Sequence, residues 1–284
     1  MSTSVGIALA QITGEPFAVD VNRANSVVAA ARAFEEGANI VVLPELIVPG
    51  YVADRERLES IAEPVDGPTL AAWRAVAAQA GGIVVGGLCE RANGMLYNTA
   101  IVAGPDGLLL HYRKAHLFAN EKLVFEPGNL GFPVVQTPFG RIGVCVCYDL
   151  RFVEVVRLMA LRGAEIICVP TAWLTGFDRV KWDAEGMCPQ AHGAVLQANL
   201  NQVFIACASQ AGNRHGLEFL GSSIVADPYG RRALGPLPGE QDEVTTIQID
   251  LLDADRALSR GPLINPRDDR RTDLYGIWDG SAVL

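Results

Sequence analysis

The chain carries little charge for its size, and less of it is positive than negative. Charged residues make up 19% of 284 positions, and 23 lysines and arginines stand against 32 aspartates and glutamates, a formal net charge of −9. A surface this negative repels phosphate backbones and anionic headgroups, so nucleic acid and membrane surfaces are not expected as partners. Arg267, Arg270 and Arg271 make no basic patch, because Asp268 and Asp269 interrupt them. No apolar run approaches the roughly 18 residues of a membrane span, and Met1-Ser2-Thr3-Ser4 does not open a secretory signal. Low-complexity tracts, internal repeats and linkers rich in Pro, Gly or Ser are also missing. The expectation is one domain over residues 1–284, with 261–284 as an irregular tail against the surface or a partner subunit. Apolar residues, by contrast, are abundant. They make up half the chain, with a mean hydropathy of +0.22, which excludes wholesale disorder and supplies a sizeable core. Six cysteines, at 89, 145, 147, 168, 188 and 207, lie mostly inside apolar runs. That placement reads as reduced thiols in a cytoplasmic protein, not as a disulfide scaffold.

Apolar stretches at 5–12, 40–43, 83–88, 97–102, 108–113, 134–137, 141–146, 166–169, 203–209, 222–226 and 244–249 read as strands. Helical spacing lies between several of them. Val21, Ala24, Val27, Val28, Ala31 and Phe34 share one stripe, closed by Gly37. Thr69 is placed to cap a helix bearing Leu70, Trp73, Ala77 and Ala80, ended by Gly81-Gly82. Phe152, Val155, Val156 and Met159 stripe a helix over 151–162, and another lies near 189–200. Gly104-Pro105-Asp106-Gly107 and Pro138-Phe139-Gly140 are hairpin turns. Strands alternating with helices predict an α/β protein, and the hairpins predict mixed sheets.

Three segments carry chemistry. In Val41-Val42-Leu43-Pro44-Glu45 a carboxylate follows a buried strand, at the strand end where α/β folds place ligands. In Tyr112-Arg113-Lys114-Ala115-His116-Leu117-Phe118, Lys114 follows the second strand of a hairpin. In Gly143-Val144-Cys145-Val146-Cys147-Tyr148-Asp149 a strand runs into a cysteine and then a helix, a geometry that exposes a nucleophile. A helix start nearby would favour thiolate over thiol. Cys147, as the last strand residue, is the candidate nucleophile, and Cys145 is assigned to the core. Taken singly, each of these residues is more often ordinary surface or core.

Together the segments resemble the nitrilase superfamily of carbon–nitrogen hydrolases. The matching pieces are Leu-Pro-Glu at 43–45, Arg-Lys-Ala-His-Leu-Phe at 113–118 and Gly-Val-Cys-Val-Cys-Tyr-Asp-Leu-Arg-Phe at 143–152. Glu121 with Phe125-Glu126-Pro127-Gly128, and Val169-Pro170-Thr171, support them. Matches in order over nearly the whole chain are far more specific than any one motif. The resemblance implies a four-layer α-β-β-α sandwich with two mixed β-sheets, and a Glu–Lys–Cys triad. It also implies a homodimer or higher even homo-oligomer, paired helix layer to helix layer. By position, Glu45 would be the general base, Lys114 the cation beside the tetrahedral intermediate and Cys147 the nucleophile. Glu121 would orient Lys114 or the substrate amide, and the backbone N–H of Tyr148 would join Lys114 in holding the oxyanion. Tyr51 and Trp173 are pocket candidates by position. The implied reaction is hydrolysis of a small-molecule amide through a thioester, without metal or cofactor, releasing a carboxylic acid and ammonia.

Tyr148-Asp149 after the nucleophile resembles the amidase and N-carbamoyl branches more than the nitrile hydrolases, which use Trp and Glu there. Three rival readings remain: a Cys–His hydrolase using His116, a metal hydrolase, and a non-catalytic binding protein on this fold. Motifs of paired metal ligands are missing, and a binding protein would be expected to have lost Glu45, Lys114 or Cys147. The stretch 173–188 mixes Trp173, Leu174, Phe177, Trp182 and Met187 with Arg179 and Lys181. It would serve either an apolar or aromatic substrate portion or, through the cations, a substrate carboxylate.

Overall fold

The computed structural model describes residues 3–278, 280, 282 and 284. The first half runs β1 (Ser4–Gln11), α1 (Val19–Glu35), β2 (Ile40–Val42), α2 (Arg55–Ile61), α3 (Pro68–Ala80), β3 (Ile83–Ala92), β4 (Met95–Gly104) and β5 (Gly107–Arg113). The second half runs β6 (Val134–Thr137), β7 (Gly140–Val144), α4 (Val153–Leu161), β8 (Ile166–Thr171), α5 (Pro189–Asn201) and β9 (Phe204–Ser209). There follow β10 (Ala211–Arg214), β11 (Leu217–Leu220), β12 (Ile224–Ala226), β13 (Arg232–Leu234), β14 (Glu243–Asp250) and α6 (Leu252–Arg256). Single 3-10 turns occupy Ala119–Leu123 and Cys147–Arg151.

One six-stranded sheet has the order β14-β1-β2-β3-β4-β5, and the other β13-β12-β9-β8-β7-β6. Each is parallel at its centre, β1-β2-β3 in one and β7-β8-β9 in the other, and antiparallel at its flanks. Alternation along the strands sorts the residues between two faces. Ile7 and Leu9, Ile40 and Val42, and Ile83 and Val85 pack between the sheets, whereas Ala8, Ala10, Val41, Leu43 and Val84 pack under α1 and α3. Helices α4 and α5 cover the second sheet, with Val155, Val156, Met159, Ala191, Ala194 and Ala198 buried on it. The layers are therefore helix, sheet, sheet and helix, each sheet closing its parallel centre under its own helices. All six cysteines are free thiols, and no helix among the described residues is long and apolar enough to cross a membrane.

Several local expectations need correction. The buried face of α1 is Asn22, Ser26, Ala29, Ala30 and Ala33, whereas Val21 and Val28 are 58% and 67% exposed. Small residues let the helix approach the sheet, and the two polar ones are satisfied. Asn22 bonds the backbone of Glu15 and Val48, and Ser26 accepts from Trp73 Nε1 at 2.8 Å. Thr69 does not cap α3. Pro68 opens that helix after Gly67, and Thr69 is buried with its hydroxyl donating to Glu63. Strand β7 stops at Val144, short of Cys147, and α4 begins at Val153, after the 3-10 turn. Helix α2, the β10–β11 hairpin and β13 have no counterpart in the sequence reading, being seven residues or shorter and without a clear period. Beyond Gly261 the described chain makes only turns and single bridges, with Arg267 donating to the carbonyls of Asn201 and Gln202 at the end of α5.

One buried carboxylate ties the β3–β4–β5 meander together. Glu90 on β3 accepts from Thr99 on β4 (2.6 Å), from the His111 ring (2.8 Å) and from both ends of the Arg113 guanidinium (2.5 and 3.0 Å) on β5. Burial pushes its carboxyl up, but the hydrogen bonds from His111, Arg113 and Thr99 outweigh burial and hold it at about 2, against an ordinary 4.5. A depressed carboxyl stabilises the fold above its ordinary range and loses that contribution as pH falls towards its folded value. Glu90→Gln is therefore expected to lower unfolding stability at pH 7 by about 3 kcal/mol, as when one partner of a buried pair is removed. In urea titrations at several pH values the gap between Glu90→Gln and the parent should narrow steadily below pH ~4.5.

Candidate active site

Glu45, Lys114 and Cys147 leave the ends of β2, β5 and β7, and the sheet packing brings them together. Lys114 Nζ lies 2.6 Å from Glu45 Oε1, and 2.8 and 2.7 Å from the two oxygens of Glu121. All three side chains are buried. Asn98 Nδ2 donates to the same Glu45 oxygen at 2.8 Å, and Tyr51 Oη donates to Glu121 at 2.7 Å. Glu121 is fixed further by the Phe118 N–H at 3.0 Å. The second Glu45 oxygen, Oε2, accepts no hydrogen bond from any described residue.

Two glycines make this approach possible. A Cβ on Gly87 would sit 2.4 Å from the Leu46 nitrogen and 2.8 Å from Glu45 Cα, so only a bare backbone lets the Glu45 loop cross β3. A Cβ on Gly128 would sit 1.9 Å from the Arg113 carbonyl oxygen. Gly128 instead bonds the Lys114 carbonyl at 2.8 Å, and the Lys114 N–H donates to the Asn98 carbonyl at 2.8 Å.

Cys147 is the first residue of its 3-10 turn and has φ +47, left-handed backbone that costs a non-glycine residue about 1 kcal/mol or more. The kink turns a half-buried thiol out of the strand line towards a cleft of about 500 Å³, counted to its open mouth. Cys145, two residues earlier, is fully buried in the core as expected. Thr171, the last residue of β8, donates its hydroxyl to Cys147 Sγ at 3.3 Å, and its carbonyl accepts from the Glu45 N–H at 3.4 Å. Thr171 thereby joins the acid's loop to the thiol across the two sheets.

The electrostatics differ from the expected thiolate. Burial pushes the Cys147 thiol well above its ordinary 9.0 and the Glu45 charge adds to this, while Lys114, Thr171 and the Ala172 backbone oppose it. Glu45 is also raised above its ordinary 4.5, first by burial and then by Glu121, against the pull of Lys114 and Asn98. Burial acts to lower Lys114, but the two carboxylates outweigh it and keep the ammonium charged. Both groups are thus shifted towards their protonated forms, and Glu45 Oε2 is the site oxygen left without a donor beside the thiol. Tyr148 lies in the first turn of the 3-10 helix, where N–H groups lack intrahelical acceptors.

Asp149 was missed by the sequence reading, although it lies two residues from Cys147. It is fully buried and accepts from Tyr112 Oη (2.7 Å), the His116 N–H (2.9 Å), the His116 ring (2.8 Å) and the Val146 N–H (3.0 Å). It therefore pins the segment that carries Lys114 to the segment that carries Cys147. His116 is taken up by Asp149 and by stacking on Phe152 at 3.6 Å between centroids, a structural hydrogen-bonding role. Trp173 lines the cleft, together with Phe118, Tyr148 and Phe177. Tyr51 belongs to the carboxylate–ammonium cluster through Glu121 and is not a cleft wall. Lys181 is paired with Glu218 at 2.6 Å, and neither Lys181 nor Arg179 lines the cleft.

Two face-packed mixed sheets of an α/β protein thus carry a thiol at the head of a cleft, backed by an ammonium and two carboxylates. A family model described as carbon–nitrogen hydrolase matches residues 6–257, and the chain belongs to that family, within the nitrilase superfamily. It is 34% identical over 278 residues to a nitrilase of Pyrococcus abyssi, covering 95% of this chain and 99% of that one. It is 33% identical over 272 residues to the N-carbamoylputrescine amidase of Solanum lycopersicum, covering 88% and 87%. A solved mutant of the amidase from Nesterenkonia sp. AN1 superposes with TM-score 0.76 at 28% identity, covering 95% and 98%. That structure shows the result of Michael addition of acrylamide at its active-site cysteine.

Asp149→Asn should separate positioning from chemistry. It turns an N–H donor group towards partners that donate, so Cys147 and Lys114 lose their common anchor. The expected result is a fall in kcat/KM of about a hundredfold with Cys147 still present, the size of loss that a misplacement near 1 Å produces. Unchanged kinetics on any substrate of the parent would refute this role.

Proposed function

We propose that the protein is a cysteine-dependent amidase that hydrolyses a small-molecule amide through a thioester on Cys147. The reading rests chiefly on one observation. Glu45 commits one oxygen to Lys114 and Asn98 and keeps the other, buried, without a donor. That free oxygen suits the proton of the neighbouring thiol. Cys147 sulfur attacks the amide carbon while its proton passes to Glu45. The carbonyl oxygen becomes an oxyanion held by Lys114 and the Tyr148 N–H; one such donor is typically worth about 3 kcal/mol of barrier lowering. Glu45 then gives the proton to the leaving nitrogen, the C–N bond breaks and ammonia departs. Glu45 next takes a proton from water, whose oxygen attacks the thioester. The acid is released, and the proton returns to sulfur. Glu121, held by Tyr51 and the Phe118 N–H, positions Lys114. A second reading, hydrolysis of an N-carbamoyl amine or amino acid, uses the same steps on a urea-type carbonyl, and the similarity to an N-carbamoylputrescine amidase supports it.

Mass spectrometry of the intact chain with a primary amide tests the mechanism. On rapid quenching an acyl adduct should map to Cys147 and form much more slowly in Glu45→Gln, while Cys147→Ala should lower ammonia release by more than about a thousandfold. Turnover retained in Cys147→Ala would sink the proposal.

We further propose an even-numbered homo-oligomer paired through the α4–α5 layer. Val153, Leu196 and Leu200 are exposed there, and Leu274, Tyr275 and Trp278 of the final segment are exposed as well. Light scattering at micromolar concentration should report a dimer or larger for the parent and a smaller species for Leu196→Glu. A monomeric parent would contradict this.

A further inference from the structure

Helix α5 opens on Pro189, and its residues Gln190 and Gly193 sit three apart on the face that lines the cleft beside Cys147. The reaction outlined above uses neither. Gln190 is only 9% exposed, and its Oε1 is buried with no hydrogen-bond partner among the described residues. A buried amide oxygen left without a donor costs about 1–3 kcal/mol. Gly193 is a glycine inside a helix, a choice about 1 kcal/mol worse than alanine. Packing does not demand it, because a Cβ built there meets nothing within 4 Å. Two locally unfavourable choices therefore lie on the helix face that borders the cleft: one removes a side chain, and the other leaves a buried acceptor unused.

The rest of the cleft defines what fits. Phe118, Tyr148 and Phe177 form an edge-to-face cluster with centroids 5.3 to 5.9 Å apart, and Trp173 adds a further aromatic wall. Arg151 is the one charged residue of the lining, and it is already engaged, paired with Asp178 and lying 4.5 Å over the Phe177 ring. With Lys181 held by Glu218, no cation lining this cleft is free to meet a substrate carboxylate.

We propose, resting on the amidase reading above, that the cleft takes neutral amides whose acyl portion is a flat apolar or aromatic group bearing a hydroxyl or N–H donor. Gln190 Oε1 accepts that donor, and the missing side chain of Gly193 makes room for the ring. Both are specificity residues and neither touches the reacting carbon.

The test compares kcat/KM for propionamide, phenylacetamide and 4-hydroxyphenylacetamide in the parent, Gln190→Met, Gly193→Ala and Gly193→Leu, with thermal unfolding as the control for folding. The parent should favour the hydroxylated ring over the plain ring by about tenfold or more, the discrimination expected of one desolvated hydrogen bond. Gln190→Met should bring that ratio to about one. Gly193→Leu should lower the aryl-to-propionamide ratio at least about tenfold, and Gly193→Ala, which favours the helix, should lower it less. Equal turnover of the two aryl amides by the parent, a preference that survives Gln190→Met, or an aryl ratio unmoved by both Gly193 variants overturns the assignment. No turnover of any of the three amides by the folded parent would instead overturn the amidase reading, and this inference with it.

Discussion

The site depends on one buried ammonium. Lys114 sits between Glu45 and Glu121 with no solvent around its charge, and each carboxylate lies within 2.8 Å of it. Burying three charges does not by itself stabilise a fold, because the desolvation cost offsets most of the attraction. The arrangement nevertheless persists because its surroundings over-determine it. Asn98 donates to the Glu45 oxygen that Lys114 holds and Tyr51 donates to Glu121, and Gly87 and Gly128 admit the two backbones at distances no other residue permits. What the protein gains is a carboxyl group with one oxygen free of donors beside a thiol, and burial pushes both groups above their ordinary ranges.

Cys147 is positioned by strain and by an anchor. Cys147 leaves the strand in a left-handed conformation and opens a single 3-10 turn, and the next-but-one residue, Asp149, gathers donors from two separate segments. An anchoring group so close to Cys147 explains how Lys114 and Cys147 hold a fixed separation although they come from different sheets. Thr171 does the same between Cys147 and the Glu45 loop. The two sheets therefore share the site and do not merely pack beside it.

Long elements with a strong period were legible in the sequence. The core strands, α4 and α5, the hairpin at residues 104–107 and the mixed character of both sheets all lie where hydrophobic alternation and turn residues put them. The failures have physical causes. The valine stripe of α1 faces outward because the sheet selects small residues and two satisfied polar ones for close approach. Thr69 looks like a cap, yet its hydroxyl answers Glu63 while Pro68 opens the helix. Asn98, Asp149 and Thr171 gave no clear signal of their own, because a buried Asn, Asp or Thr is recognised by its partners, and those partners lie 24 to 53 residues away. Gln190 and Gly193 escape for the same reason, since a single glycine and glutamine at the start of a helix carry no pattern.

The sequence alone determined which residue types are available at strand ends, where the apolar strand-length runs lie and which family the ordered motifs resemble, because these depend on local spacing and residue chemistry. Only the tertiary structure decided that Glu45, Lys114, Glu121 and Tyr51 form one hydrogen-bonded cluster and that Cys147 is a half-buried thiol whose surroundings disfavour the thiolate. It alone decided, too, that Asp149 and Thr171 hold the parts in register. Distances of 2.6 to 3.4 Å between residues up to 126 positions apart are set by how two sheets pack, and desolvation is set by what packing excludes. Neither quantity exists until the chain has folded.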